Sequence, residues 1–363
     1  MRFLITGGGT SGHINPALTI AQSLSDRCKS DGRECSIIFT GRKKGLEGEL
    51  IPKAGWEFRD VEALPMPMKP TPAFFKAYAA MRRGMKTCLD IIDEFKPDAV
   101  ISTGGYVSAP LLRAAIKRNI PIVIHESNAF AGRANKVFAR KAALILTGFP
   151  NCEHEFKTNG KVVFVGNPVR DRVFDYTHDS ARSELGIKDD EFLIFAMGGS
   201  LGSATITSFI LKMAESKPQY RFRLSIGKQN VIPIPDELPS NIEVSEYIEN
   251  PEIYLAAADI CILRSGAITC AEACAAGACV VFVPYPYAAH DHQTYNANSI
   301  KSCGGCEMIA DDRVGSDLEG IIEGLASDKA KRDHMRECAK SVAVLDTTDR
   351  ICDAIMGVIR SQN

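Results

Sequence analysis

Two stretches of this chain are spelled alike, and the likeness limits what can lie between them. Phe3-Leu4-Ile5 closes on Gly8-Gly9-Thr10-Ser11-Gly12, and Phe192-Leu193-Ile194 closes on Gly198-Gly199-Ser200-Leu201-Gly202. Each reads as a strand, a glycine turn and a helix start. Short apolar runs without polar alternation recur at residues 35–39, 99–101, 120–124, 143–146 and 161–165, then at 222–226, 242–244, 260–263 and 279–283. Such runs belong to strands covered on both faces, and helix-like segments separate them, so the fold class is α/β with parallel sheets. The doubled start predicts two Rossmann-like domains facing each other across a cleft. Gly166-Asn167-Pro168-Val169-Arg170 and the polar stretch to Glu191 mark the boundary, giving domains 1–167 and 168–345.

Composition removes several function classes. Lys and Arg number 43 against 44 Asp and Glu, a formal charge of −1, so no global field exists to hold nucleic acid. The longest apolar stretch, residues 273–284, falls short of the ~20 residues a membrane-spanning helix needs. Met1-Arg2-Phe3-Leu4-Ile5-Thr6 runs into glycines without the apolar core of a signal peptide, so a cytoplasmic protein is expected. The twelve cysteines sit in apolar segments such as Cys261, Cys270, Cys274 and Cys279, and read as reduced thiols without a disulfide framework.

Glycines at a strand end let backbone N–H groups approach an anion, and the following helix adds its positive end. Gly7, Gly9 and Gly12 fit the dinucleotide fingerprint G-x-G-x-x-G, with Pro16 suited to the first helical turn. An NADP-linked oxidoreductase is therefore one reading, with Arg42 after the second strand meeting a 2′-phosphate. The other reading starts from Arg264-Ser265-Gly266-Ala267-Ile268-Thr269-Cys270-Ala271-Glu272. Small residues there open a helix start to a pyrophosphate, and Glu272 can accept hydrogen bonds from ribose hydroxyls. Cys303-Gly304-Gly305-Cys306, with His290 and His292 upstream, has metal-ligand residue types, but a single C-x-x-C reads as a loop and no metal is expected.

Six segments carry a family resemblance in order along nearly the whole chain: Gly8-Gly9-Thr10-Ser11-Gly12-His13, Gly104-Gly105-Tyr106-Val107-Ser108, His125-Glu126-Ser127-Asn128, Gly166-Asn167-Pro168-Val169-Arg170, Gly198-Gly199-Ser200-Leu201-Gly202 and Arg264-Ser265-Gly266-Ala267. Together they resemble the MurG family, the N-acetylglucosaminyltransferases that complete lipid II in peptidoglycan synthesis. The resemblance implies a GT-B fold, with a C-terminal helix inside residues 346–363 returning to the first domain. It implies transfer of GlcNAc from UDP-GlcNAc to the 4-hydroxyl of MurNAc in lipid I with inversion, without a cofactor. It implies a peripheral enzyme at the cytoplasmic face of the cell membrane. By the same resemblance the uracil meets the backbone at Ile248 with Arg170 nearby, and the ribose meets Glu272. The diphosphate meets Ser200 and the helix turn of Ala267, Ile268, Thr269, Cys270 and Ala271, and the sugar meets Gln293. Thr10, Ser11, Gly12 and Asn128 complete the donor side. Ser11 stands where the family usually carries Gly, and Thr294 where some members carry a second Gln.

Inversion in one displacement needs a base and a stabilised leaving diphosphate. His13, closing the first glycine loop, is the first candidate base and Glu126 the second. Gly104, Gly105 and Tyr106 form a second anion loop, suited to an acceptor diphosphate. Residues 63–87 hold five basic residues and no acid. Phe74, Tyr78, Met81 and Met85 recur at helical spacing there, and with Phe75, Arg82, Arg83 and Lys86 they read as an interfacial patch for an anionic membrane. Met66, Met68 and the prolines at 65, 67 and 70 predict a flexible lead-in. A nucleotide-sugar epimerase and a non-catalytic nucleotide-binding module are the remaining alternatives.

Overall fold

The computed structural model describes residues 1–67 and 69–360; Met68 of the lead-in and residues 361–363 lie outside them. The chain divides into two compact units, Met1–Pro168 with Asp346–Asn363, and Val169–Leu345.

In the first unit the strands are β1 (Arg2–Gly7), β2 (Ser36–Gly41), β3 (Glu57–Asp60), β4 (Ala99–Gly104), β5 (Ile122–Glu126), β6 (Leu144–Thr147) and β7 (Lys161–Phe164). They form one parallel sheet in the order β3-β2-β1-β4-β5-β6-β7. Alternate residues face opposite cores, as strand geometry requires. Phe3, Ile5, Phe39, Ile101 and Leu146 join one cluster, while Leu4, Ile38, Val100, Ile124 and Ile145 join the other. Both faces are thus buried, which is why the central strands lack polar alternation.

The helix Thr347–Arg360 completes the first unit. Its Ile351, Cys352, Ile355, Met356 and Ile359 enter the same cluster as Ile14, Ile20 and Leu24 of the Ser11–Ser30 helix. Arg27 pins its outer side through Asp349 (2.9 Å) and Asp353 (2.7 Å).

The second unit contains β8 (Phe192–Met197), β9 (Tyr220–Ser225), β10 (Ile242–Ser245), β11 (Ile260–Leu263), β12 (Val280–Phe282) and β13 (Cys306–Met308), all parallel, in the order β10-β9-β8-β11-β12-β13. In each sheet the strand order reverses beside the first strand of the unit, between β1 and β4 and between β8 and β11. Ligands of open α/β sheets bind at the carboxyl ends of strands flanking such a reversal. Those ends carry the glycine turns.

No helix of the described residues is long and apolar enough to cross a membrane. The Pro72–Phe95 helix turns Ala77, Met81, Gly84, Cys88 and Ile91 inward. Gly84 permits the approach, since a Cβ there would stand 2.1 Å from the Glu62 carbonyl oxygen. Two assignments within the sequence-derived patch are therefore corrected. Met81 belongs to the core, and Arg83 donates from Nε and Nη2 to both carboxylate oxygens of Glu62 at 2.7 Å. The outward surface carries Phe75 and Tyr78 with Arg82 and Lys86, and Phe74 meets Phe75 edge to face at 5.7 Å.

Candidate functional site

In the first unit the turns after β1 and β4 are fitted to each other. Gly104 and Gly105 have φ of 103° and 86°, a region that strains any side-chain-bearing residue. A Cβ on Gly105 would lie 2.2 Å from the Gly8 oxygen, and one on Gly104 would lie 3.1 Å from the His13 ring. Thr103 Oγ1 donates to the His13 carbonyl (2.7 Å) and fixes the helix start against β4. Thr10 takes the N-cap position of the Ser11–Ser30 helix, yet its side chain makes no cap bond. Its Oγ1 instead lies 3.1 Å from His13 Nδ1. The amides of Ser11 and Gly12 are consequently left uncapped at the positive end of a 20-residue helix.

Glu47, which sequence reasoning missed, is buried beside the first glycine turn. Its carboxylate accepts from the amides of Gly9 (3.1 Å) and Arg42 (3.2 Å). A pyrophosphate at this turn would meet an internal carboxylate already holding the amide, which counts against the dinucleotide reading. Arg42 is engaged as well, donating from Nη1 to the Tyr106 hydroxyl (2.5 Å), while the Tyr106 ring borders Gly9. Glu47 lies in Gly45-Leu46-Glu47-Gly48, and the small neighbours that admit it were the available signal.

The assignment of Glu126 as a second base is corrected. Its Oε1 accepts from the Asn128 backbone (3.0 Å) and side-chain (3.2 Å) nitrogens, and its Oε2 from Gly132 N and Asn135 Nδ2 (2.8 Å each). A buried carboxylate so surrounded has no lobe left to take a proton from substrate. It organises the loop carrying Asn128. The preceding His125 is fully buried, and burial pushes its pKa down to about 4.

In the second unit the turn after β8 has Gly199 and Gly202 at φ 81° and 89°. Gly202 is locked, because a Cβ would lie 2.0 Å from the Ile226 oxygen, whereas a Cβ on Gly199 would meet nothing within 4 Å. Exposed Ser200 follows that open position. Ser203 caps the Ala204–Ser216 helix by accepting from Ile206 N.

The Ala267–Ala276 helix has no side-chain cap and no acid in its first turn, so Ala267, Ile268 and Thr269 present free amides. Ala271 is half-buried. Cys270 points into the core, and burial raises its thiol far above the usual range, so only its backbone faces the helix start. Glu272 is buried, with its pKa raised first by desolvation and pulled back by Arg170. Arg170 Nε stands 3.1 Å from Glu272 Oε1, and its Nη1 stands 3.2 Å from buried Glu252. Ile248, with a buried side chain, lies in the loop between β10 and the Pro251–Ala257 helix.

Arg264 ties these pieces together. It donates to Ser203 Oγ (2.7 Å) and to the carbonyls of Val283 and Pro284 (3.0 Å each), and pairs with Asp311 (2.6 Å). Ser265 Oγ donates to the Gln293 carbonyl (2.9 Å). Gln293 Oε1 accepts from Tyr285 N (2.9 Å), so the side-chain NH₂ is the group with which it can donate. His290 and Asp291 precede it at φ 56° and 54°, a left-handed pair that strains the turn. Thr294 Oγ1 is spent on Asp291 (2.7 Å). Cys303 and Cys306 donate to the carbonyls of Ile300 and Ala297, and no cluster of three or more metal-ligating side chains occurs among the described residues.

Comparison with known proteins matches both units. Residues 3–147 match the glycosyltransferase family 28 N-terminal domain and residues 193–351 the glycosyltransferase family 28 C-terminal domain. A relative from Caldicellulosiruptor saccharolyticus is 34% identical over 357 residues, covering 96% of this chain and 95% of its own. One from Acetivibrio thermocellus is 32% identical over 370 residues, covering 100% and 99%. Both are named UDP-N-acetylglucosamine--N-acetylmuramyl-(pentapeptide) pyrophosphoryl-undecaprenol N-acetylglucosamine transferase. The crystal structure of Acinetobacter baumannii MurG superposes with a TM-score of 0.80 at 25% identity, covering 98% of this chain and 99% of that one. A UDP-GlcNAc 2-epimerase from Neisseria meningitidis, at TM-score 0.68 and 14% identity over 98% of this chain and all of that one, shares the fold alone.

Proposed function

The chain belongs to glycosyltransferase family 28, in its MurG branch, and on that premise we propose that it transfers N-acetylglucosamine from UDP-GlcNAc to the 4-hydroxyl of the MurNAc residue of lipid I. The product is lipid II. The observation carrying the reading is the uncapped start of the Ala267–Ala276 helix, with buried Glu272 in its second turn and Gln293 anchored through Oε1 on Tyr285 N. A diphosphate fits the first, a ribose diol the second and a sugar hydroxyl the third. The uracil meets the backbone at Ile248, with Arg170 nearby.

The acceptor 4-oxygen attacks the anomeric carbon as the bond to the β-phosphate oxygen breaks, with inversion. The 4-hydroxyl proton goes to His13 and the bonding pair leaves with UDP. If Nδ1 carries the hydrogen toward Thr10 Oγ1, the Nε2 lone pair is the base. Negative charge growing on the leaving diphosphate is met by the amides of Ala267, Ile268 and Thr269 and by Ser200. The turn of Gly104, Gly105 and Tyr106, with Arg42 against the Tyr106 hydroxyl, offers donors to the acceptor diphosphate. A polyprenyl acceptor confines the reaction to a membrane surface. The exposed Phe75, Tyr78, Arg82 and Lys86 suit the anionic inner leaflet on its cytoplasmic side.

The test follows radiolabelled UDP-GlcNAc with and without a lipid I analogue. Label in a disaccharide lipid only when acceptor is present is the expected result. Acceptor-independent conversion to UDP-N-acetylmannosamine, or to free N-acetylmannosamine and UDP with water as co-substrate, would overturn it in favour of an epimerase.

A further inference from the structure

Arg170 is shared by two buried carboxylates, Glu252 and Glu272. Glu272 is the acid to which the proposed donor ribose is assigned. Glu252, in the first turn of the Pro251–Ala257 helix, is only 3% exposed and has no place in that reading. Burying a carboxylate is costly unless it is paired, so an unexplained one calls for a use. Its Oε2 lies 3.2 Å from Arg170 Nη1, the same nitrogen that donates to the Glu249 carbonyl (3.1 Å). Arg170 Nε then reaches Glu272 Oε1 at 3.1 Å. The Arg170 side chain is 46% exposed, and a single contact to Glu272 would leave a flexible cation free to swing into water. The grip of Glu252 and the Glu249 carbonyl on Nη1 fixes the plane of the guanidinium, and the plane fixes the Glu272 carboxylate. Glu272 Oε2 takes no partner among the described residues and is left to accept from a diol.

We propose that Glu252 is a positioning residue for the donor: it holds Arg170, and Arg170 in turn orients Glu272 toward the ribose of the nucleotide sugar. The proposal rests on the donor-site reading above and adds a residue to it.

The experiment compares wild type, E252Q, R170M and R170M/E252Q with UDP-GlcNAc and a lipid I analogue, and measures UDP binding by calorimetry. E252Q should raise the KM for UDP-GlcNAc roughly 10-fold, matching the loss of one charge-assisted bond. Its kcat should stay within twofold and the acceptor KM should not move. Once Arg170 is gone, E252Q should add no further loss. Multiplicative losses in the double variant, or a fall in kcat at unchanged KM, would overturn the proposal. If E252Q does not fold, R170M/E252M, which leaves no orphan charge, is compared with R170M by the same criterion. Failure of wild type to bind UDP would remove the donor reading itself, whereas normal wild-type binding with unmoved variants removes only the role of Glu252.

Discussion

Acid should weaken the first unit through one imidazole. His125 is completely buried on β5, its Nε2 3.5 Å from the Gly166 oxygen and its Nδ1 3.3 Å from Ser127 Oγ. With Nε2–H donating to the carbonyl and Nδ1 accepting from the hydroxyl, the ring is satisfied only when neutral. Burial lowers its pKa from 6.5 to about 4. The unfolded chain therefore binds a proton below pH 6.5 that the folded chain refuses until near pH 4. Stability is fully present above the unfolded value and is lost as pH falls toward the folded one. The linkage integral over that window gives a loss of about 2 kcal/mol at pH 5, and about 3 kcal/mol at pH 4, relative to pH 8. Other groups titrate in this range, so the measurement is a difference. H125Q keeps a donor and an acceptor in place but cannot be protonated. Trp56, the chain's single tryptophan, packs on Phe39 with centroids 6.1 Å apart, so its emission during urea unfolding follows the first unit. Wild type should lose about 2 kcal/mol more than H125Q between pH 8 and pH 5. Equal losses in the two proteins would refute the buried neutral imidazole.

Four further outcomes follow from the site and its surroundings. H13A should lower kcat by about 10²-fold or more at saturating substrates, the usual contribution of a general base, and an unchanged kcat would remove that role. E126Q places an amide against two sets of donors and should cost the first unit about 2–4 kcal/mol in the same urea assay while leaving the shape of the kcat–pH profile alone; loss of a limb of that profile would restore Glu126 as a base. G202A should destabilise the second unit far more than G199A, since both strain the backbone but only the former collides with the Ile226 carbonyl, and thermal unfolding with equal shifts would contradict that difference. R82Q/K86Q should weaken binding to anionic vesicles by about 2 kcal/mol, roughly 30-fold, whereas E62Q/R83Q, which removes a paired cation together with its carboxylate, should change it little; the reverse order in a sedimentation assay would misplace the patch.

The central strands were readable because both faces are buried, which turns each into an unbroken apolar run. The edge strands β7 and β10 were read from their Val and Ile, but β3 and β13 were not, since Glu57-Phe58-Arg59-Asp60 is mostly charged and Cys306-Glu307-Met308 is three residues long, and neither contains a β-branched residue. In the Pro72–Phe95 helix the large side chains of Phe74, Tyr78, Met81 and Met85 drew attention to a stripe that straddles two faces. The inward face is built of Ala77, Ala80 and Gly84, whose smallness lets the helix approach and whose signal is correspondingly faint. The glycine turns and the helix start at Ala267 were legible from residue types alone. The fates of the acids were not. Glu126 at a strand end, Glu252 in a first helical turn and Glu47 between glycines are spelled like solvated carboxylates. Only the fold reveals which amides or guanidinium they serve.

The return of the Thr347–Arg360 helix to the first unit also sets an order of events during synthesis. Ile14, Ile20 and Leu24 lie ready early, yet the surface that covers them is made only after the whole second unit. At about 5–20 residues per second, translating the second unit takes roughly 10–35 s, during which the nascent first unit holds an open apolar furrow. The second unit is continuous and needs no segment from outside its own bounds to fold. The first is a discontinuous body that closes only once residues 347–360 have been made, so a chain terminated before them would present its unfinished side to chaperones and proteases.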